Sequence, residues 1–317
     1  MVGFPDDSGK RYHTFSRYLL EKFGQKCVKI PLDGGFTCPN RDGTKGFGGC
    51  VYCGGGGAES LCDGSRTLLP LREQYEQGRA GLEKKWGRAP VIACFSSYTS
   101  TYAPAARLRP LYDEVLALPD VVGLTISTRA DALPDEVIDL LTEYAAKTVL
   151  TVELGLQSVH DETAARIHRG HTYAEFAASY DKLKACGIPV CVHLINGLPG
   201  ETPEMMRRSA EVLGSMRPDF VKFHELYIRR DAPIANAYLR GEVPLLSRAE
   251  YVEILADQIE RLPPETVVER LTGDPLRTQC LAPDWALDKK KTRALLDKTL
   301  EKRGTFQGFW YNCTKSD

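Results

Sequence analysis

Short runs of Val, Ile, Phe and Leu recur along the chain, separated by longer stretches in which apolar residues return every three or four positions. The runs at residues 27–32, 91–95, 121–127, 149–155, 189–194 and 220–226 are apolar at successive positions, the pattern of strands buried on both faces. The stretches at 15–23, 71–86, 108–116, 135–146, 173–186 and 203–216 carry the helical period. Pro134-Asp135-Glu136 and Thr202-Pro203-Glu204 read as helix starts, and Gly187, trailed by Pro189, as a helix stop. Strand and helix alternate throughout, which predicts an α/β fold with a parallel sheet and right-handed crossovers: a partial (β/α)6 TIM-type barrel with a C-terminal extension. An open doubly wound sheet is the competing architecture. Both place chemistry where strands end and loops begin.

From Pro244 the pattern changes to a helix at 248–261, a short strand at 267–271, a basic helix at 289–303 and an aromatic end with Phe306, Phe309, Trp310 and Tyr311. The expected division is a basic helical segment over 1–26, the barrel over 27–243 and an extension packed on it over 244–317. Lys and Arg (41) nearly cancel Asp and Glu (42), so no global field attracts nucleic acid and any such contact must be a local patch. The first fifteen residues lack the apolar run of a secretory signal, and no stretch reaches the roughly 18 apolar residues of a membrane span, so a cytoplasmic location is expected. In that reducing setting ten cysteines imply metal or cluster ligation for the clustered ones, not a disulfide framework.

Three of them cluster. After the first strand come Gly34-Gly35-Phe36-Thr37-Cys38-Pro39-Asn40-Arg41-Asp42-Gly43-Thr44 and, further on, Gly48-Gly49-Cys50-Val51-Tyr52-Cys53. A Gly-rich loop can curl around a cluster and turn its amides toward sulfur. Three thiolates leave one iron of a four-iron cubane open to an outside molecule, a catalytic arrangement. Zinc with Cys62 as fourth ligand is the alternative on the loop alone, although only Cys50 and Cys53 form a close pair.

The segment from Cys38 to Cys53 resembles the radical S-adenosylmethionine (radical SAM) superfamily, in the subgroup related to the catalytic subunit of Elongator. Eleven residues separate Cys38 from Cys50 where most of the superfamily has a short spacing, and this widening is the subgroup's own. The resemblance runs from Arg11-Tyr12-His13 to about Trp285. It implies a 4Fe-4S cluster on Cys38, Cys50 and Cys53, and S-adenosyl-L-methionine cleaved reductively to a 5′-deoxyadenosyl radical. It also implies flavodoxin or ferredoxin as electron donor. By the same resemblance Tyr52 meets the adenine, and Ser96 and Ser97 lie in the stretch that receives the methionine amino group. Ser127 and Arg129 stand in Ser-Thr-Arg-Ala-Asp, where Ala130 replaces the relatives' proline. Glu153 and Gln157 end the fourth strand, with Gln157 facing the ribose. Arg169 pairs the methionine carboxylate, a task that suits the guanidinium fork. On the fifth strand His193 reaches the ribose edge, Ile195 supports the adenine and Gly197 permits close backbone approach.

The resemblance further implies tRNA as substrate, through modification of the wobble-uridine side chain. Two basic regions fit: Lys10, Arg11, Arg17, Lys22, Lys26 and Lys29 near the loop, and Lys289, Lys290, Lys291, Arg293, Lys298, Lys302 and Arg303 near Phe309, Trp310 and Tyr311. The competing readings are a radical SAM enzyme acting on a small metabolite or tetrapyrrole, and a non-catalytic zinc-containing RNA-binding protein. Cys27, Cys94, Cys186 and Cys191 are expected to be small buried hydrophobes. His13, His168, His171 and His224 are expected to be structural or surface residues. Cys62, Cys280 and Cys313 receive no role.

Overall fold

The computed structural model describes residues 9–55 and 68–311. In chain order the elements are α1 (Phe15–Phe23), β1 (Val28–Leu32), α2 (Leu71–Trp86), β2 (Val91–Phe95), α3 (Ala105–Leu116), β3 (Val121–Thr128), α4 (Asp135–Lys147), β4 (Val149–Gln157), α5 (Asp161–Arg166), α6 (Tyr173–Ala185) and β5 (Val190–Asn196). They continue with α7 (Pro203–Met216), β6 (Phe220–Glu225), β7 (Ile228–Arg229), α8 (Ile234–Leu239), α9 (Arg248–Ile259), β8 (Val267–Arg270), β9 (Cys280–Ala282) and α10 (Lys289–Arg303).

Seven strands share one sheet in the order β1-β2-β3-β4-β5-β6-β8, while β7 and β9 form a separate antiparallel pair. Spatial order follows chain order with no reversal, which is barrel topology; a doubly wound sheet reverses direction at a switch point. The strand expected in the extension, β8, is the seventh member of this sheet and runs parallel to β6.

The chain divides into two compact units. The first comprises 19–155 and 170–191. In it β1, β2, β3 and β4 pair in parallel, and every residue of β2 is buried. Leu108, Tyr112 and Val115 of α3 and Val137, Leu140, Leu141 and Tyr144 of α4 are buried at helical spacing, so each helix turns one apolar stripe inward. Tyr112 meets both Phe95 and Tyr144 by ring contacts. At Gly123 a β-carbon would stand 2.4 Å from the Val149 carbonyl oxygen, so this crossing of β3 and β4 requires glycine. Thr172 caps α6 in a reciprocal box with Glu175.

The second unit comprises residues up to 18, 156–169 and those from 192 onward. Its N-terminal segment lies along β8 through a parallel bridge between Thr14 and Val268, covering that edge. Phe15 and Tyr18 of α1 pack edge-on against Phe220. On β6 and β8, Lys222 and Glu269 form an ion pair at 3.2 Å with both side chains almost wholly buried. Asn196 exchanges side-chain hydrogen bonds with Gln258 of α9, fixing β5 to that helix.

Cys27, Cys94 and Cys191 are buried as expected, whereas Cys186 is exposed. The buried positions of α6 are Phe176, Tyr180 and Leu183, and Cys186, which follows its last turn, falls off that stripe. Cys280 is buried on β9. Cys62 and Cys313 lie outside the described residues.

Candidate active site

The widened cysteine spacing is a folded hairpin. Lys45 and Gly46 donate backbone N–H groups to the Pro39 carbonyl, Gly43 donates to Gly46, and Gly49 donates to Asn40. Asp42 and Phe47 bridge as an antiparallel pair, and Thr44 joins the hairpin to Tyr102 by a hydroxyl contact of 2.8 Å. The insertion thus returns Cys50 to the neighbourhood of Asn40. The buried Asn40 amide donates to Cys50 Sγ at 3.6 Å. Arg41 donates from its guanidinium to the carbonyls of Cys53 and Gly54, tying down the loop's far end. Among the described residues no three His, Cys, Asp or Glu side chains close on a single ion position. A cubane makes no such demand, because each thiolate binds a different iron.

The strand ends of the first unit bring several candidates together. Ser127 donates to Glu153 Oε2 at 2.8 Å, and Lys29 pairs with Glu153 Oε1 at 3.2 Å. Lys29 is therefore an inward-facing partner on β1 and not a member of a surface basic patch. Arg129 is buried and clasps Asp131 through two bonds of 2.8 Å, leaving its third nitrogen, Nη1, without a partner among the described residues. The Thr99 hydroxyl is likewise buried without one. Two unsatisfied buried donors near the ends of β2 and β3 are costly unless a ligand accepts from them. Ser97 and Tyr52 are buried, Ser96 partly so. Tyr98 adopts φ 57°, a left-handed conformation that costs a non-glycine residue energy and that clusters at functional sites. Three thiols on one loop, an amide aimed at sulfur, and unsatisfied donors including a guanidinium fit an anionic iron–sulfur cluster and a carboxylate-bearing ligand.

In the second unit Gln157 ends β4 with φ 73°, a second strained non-glycine residue at a strand end. Ser158, next in sequence, donates to Glu201, whose carboxyl is pushed above its usual range by burial. Glu201 thereby ties the Gly197-to-Glu201 turn to the end of β4. Gly197 holds φ 85°, and Leu246 lies 3.1 Å from where its β-carbon would be, so close backbone approach is built in there. Arg169 is buried. Ile195 is partly buried, as is His193, whose ring lies 5.7 Å from that of His224 on β6. His224, expected to be structural or at the surface, thus packs beside a candidate. Lys222 lies two residues before it on the same face of β6. A lysine amid the apolar Phe220–Glu225 run is the sequence signal for this buried polar group. Glu225 carries no such signal: it accepts from the Gly273 N–H at 2.8 Å, its other oxygen is buried without a partner among the described residues, and burial pushes its carboxyl up to about 7.

The two expected basic regions are thinner than their sequences suggest. Lys10 pairs with Asp297, Arg11 donates to the Thr305 carbonyl, and Lys26 stacks on Trp86. Arg303 is shared among Glu253, Asp257 and Glu260, and Tyr311 is buried. These residues serve packing.

Comparison with known proteins bears on this arrangement. A family model described as the radical SAM superfamily matches residues 38–213, and one described as the radical SAM C-terminal domain matches 218–302. The uncharacterized protein YtqA of Bacillus subtilis is 41% identical over 309 residues, covering 97% of this chain and 95% of its own. The tRNA uridine(34) acetyltransferase of Methanocaldococcus infernus is 26% identical over 186 residues, 58% of this chain and 34% of that one. The structure of an N-terminally truncated Elp3 from Methanocaldococcus infernus superposes with a TM-score of 0.66 at 19% identity, over 92% of this chain and 68% of that one, which shows the partial-barrel fold. With the superfamily model spanning more than half its length, and beginning at Cys38, the chain belongs to the radical SAM superfamily and is an enzyme that uses a 4Fe-4S cluster and S-adenosyl-L-methionine.

Proposed function

We propose that this enzyme modifies the side chain of a tRNA wobble uridine, and that Cys38, Cys50 and Cys53 are its cluster ligands. The reading is carried by one observation: a three-cysteine loop of widened spacing, in a chain similar to a tRNA uridine(34) acetyltransferase. Cys38, Cys50 and Cys53 would hold the cluster, which, reduced by flavodoxin or ferredoxin, would supply the electron for reductive cleavage of S-adenosyl-L-methionine and, through it, hydrogen-atom abstraction from the substrate.

The chain's own residues bind and orient. Asn40 steadies the Cys50 sulfur through its amide. Arg169 pairs the methionine carboxylate, while Ser96 and Ser97 receive the amino group. Gln157 and His193 take the ribose, with Ser127, Glu153 and Arg129 completing the polar strand ends. Tyr52 offers its backbone to the adenine, Ile195 its apolar surface, and Gly197 the room for close approach.

The test is anaerobic incubation of the reconstituted protein with dithionite, S-adenosyl-L-methionine and tRNA that lacks the modification. The expected result is a new nucleoside by mass spectrometry together with 5′-deoxyadenosine. Vigorous 5′-deoxyadenosine release over an unchanged nucleoside profile counts against tRNA and in favour of a small-molecule substrate. Cys38→Ser, Cys50→Ser and Cys53→Ser should each abolish both products.

A further inference from the structure

A groove of about 670 Å³ lies in the second unit, between the N-terminal segment, the end of β8 and the first turns of α10. Its lining includes the apolar Phe15 and Leu271 together with charged side chains. Three acids line it, and each already has a cation: Glu269 is held by Lys222, Asp297 by Lys10 and Asp274 by Lys289. Of the other lining cations, Arg270 at the end of β8 is already engaged, and Lys290 and Arg293 remain. They stand one turn apart on α10, both line the groove, both are exposed, and neither takes an acidic partner among the described residues.

The groove also has a defined place in the topology. Its wall includes the residues that follow β8, and Gly273 in that wall donates to Glu225 at the end of β6. It therefore runs along β8 and past its C-terminal end, the end of the strands at which β/α barrels present their reacting groups. Apolar side chains together with two uncompensated cations suit a ligand that is planar and apolar on one side and anionic on the other. Its volume is that of a small-ligand site, not of a double helix.

We propose that this groove holds a single-stranded segment of the substrate RNA, with Lys290 and Arg293 on successive phosphates and a base or ribose against Phe15 and Leu271. The proposal rests on the tRNA reading above and assigns the RNA a place in this fold. Lys10–Asp297 and Lys289–Asp274 act as fixed posts along the groove, and Lys290 and Arg293 supply the net charge.

The test is fluorescence-anisotropy titration of labelled oligouridylate with the anaerobic holoenzyme over a salt series. It compares wild type, K290A/R293A, and K298A/K302A as a control of equal charge change on the same helix outside the groove. Each single-strand phosphate contact contributes a slope of about −0.7 in log K against log salt, so losing two should flatten the slope by about 1.4. Between about 50 and 200 mM salt the wild type should then lose about sevenfold more affinity than K290A/R293A. The control should keep the wild-type slope, and all three proteins should keep their iron content and circular dichroism. Equal slopes for the groove variant and wild type, or equal flattening in both variants, would overturn the proposal even if tRNA is modified normally. Oligouridylate binding lost only in K290A/R293A, with tRNA nucleosides unchanged by wild-type enzyme, would leave the groove standing and remove the tRNA reading.

Discussion

Replacing Glu225 by Gln should make this protein more stable at pH 8, with the gain shrinking to under about 1 kcal/mol at pH 5. The carboxyl sits at the end of β6, buried, with one oxygen on the Gly273 N–H and the other without a partner among the described residues. Burial moves its titration from the ordinary 4.5 to about 7. Below pH 4.5 the group is protonated in both folded and unfolded chains and contributes nothing pH-dependent. Between 4.5 and about 7 the unfolded chain releases the proton and the folded one keeps it, so each pH unit costs about 1.4 kcal/mol of stability. The loss totals roughly 3 kcal/mol and is constant above pH 7. A glutamine keeps the acceptor for Gly273 and cannot ionise. Urea melts of the cluster-free, reduced chain from pH 5 to pH 8 should show the variant's midpoint exceeding wild type by on the order of 1 M at the alkaline end, converging at the acid end. Other groups titrate in this range, but they cancel in the difference between the two proteins. A difference that stays flat with pH would show that Glu225 is hydrated or already ionised in the native state.

Three further outcomes are expected. Lys222→Met strands Glu269 in the interior and should cost about 3–5 kcal/mol, whereas K222M/E269L should recover most of that loss; a double variant as weak as the single would contradict the pairing. Asn40→Leu removes the amide from Cys50 Sγ, so the cluster should still assemble but with a lower midpoint potential in an EPR-monitored redox titration, and an unshifted potential would show that the contact does not tune it. Gly123→Ala places a β-carbon against the Val149 carbonyl and should destabilise the fold by about 1–3 kcal/mol in thermal melts, a neutral result meaning that β3 and β4 separate there at little cost.

Much of the barrel is legible in the sequence because buried parallel strands advertise themselves as unbroken apolar runs. β2 and the helices α1, α2, α7 and α10 occupy the residues that the pattern predicts. Predicted strands stop early where chemistry begins. β4 runs on to Gln157 and β5 to Asn196, because a ladder carries polar residues at its C-terminal end that read as loop in one dimension. α5 and α8 leave no periodic trace, since six residues are too few for a helical period to emerge. The cysteine loop is legible from spacing alone, but its internal hairpin is not: those bonds join backbone groups, on which side-chain identity says little. The Lys222–Glu269 and Lys29–Glu153 pairs require the sheet, because each joins strands far apart in the chain. For the same reason the basic stretches overstate the charge available to a ligand, since Lys10 and Arg303 are neutralised by acids elsewhere.

The self-closed hairpin between Cys38 and Cys50 separates surface chemistry from ligand placement. Its backbone bonds tie residues 45, 46 and 49 back to Pro39 and Asn40, while its return arm carries Phe47, 84% exposed. The side chain at position 47 can therefore be exchanged or labelled without touching the backbone bonds by which the two thiols are delivered. Such a loop is a port: a site where an electron-carrier contact or a spectroscopic probe can be installed within one hairpin's length of the cluster while its ligands stay in register.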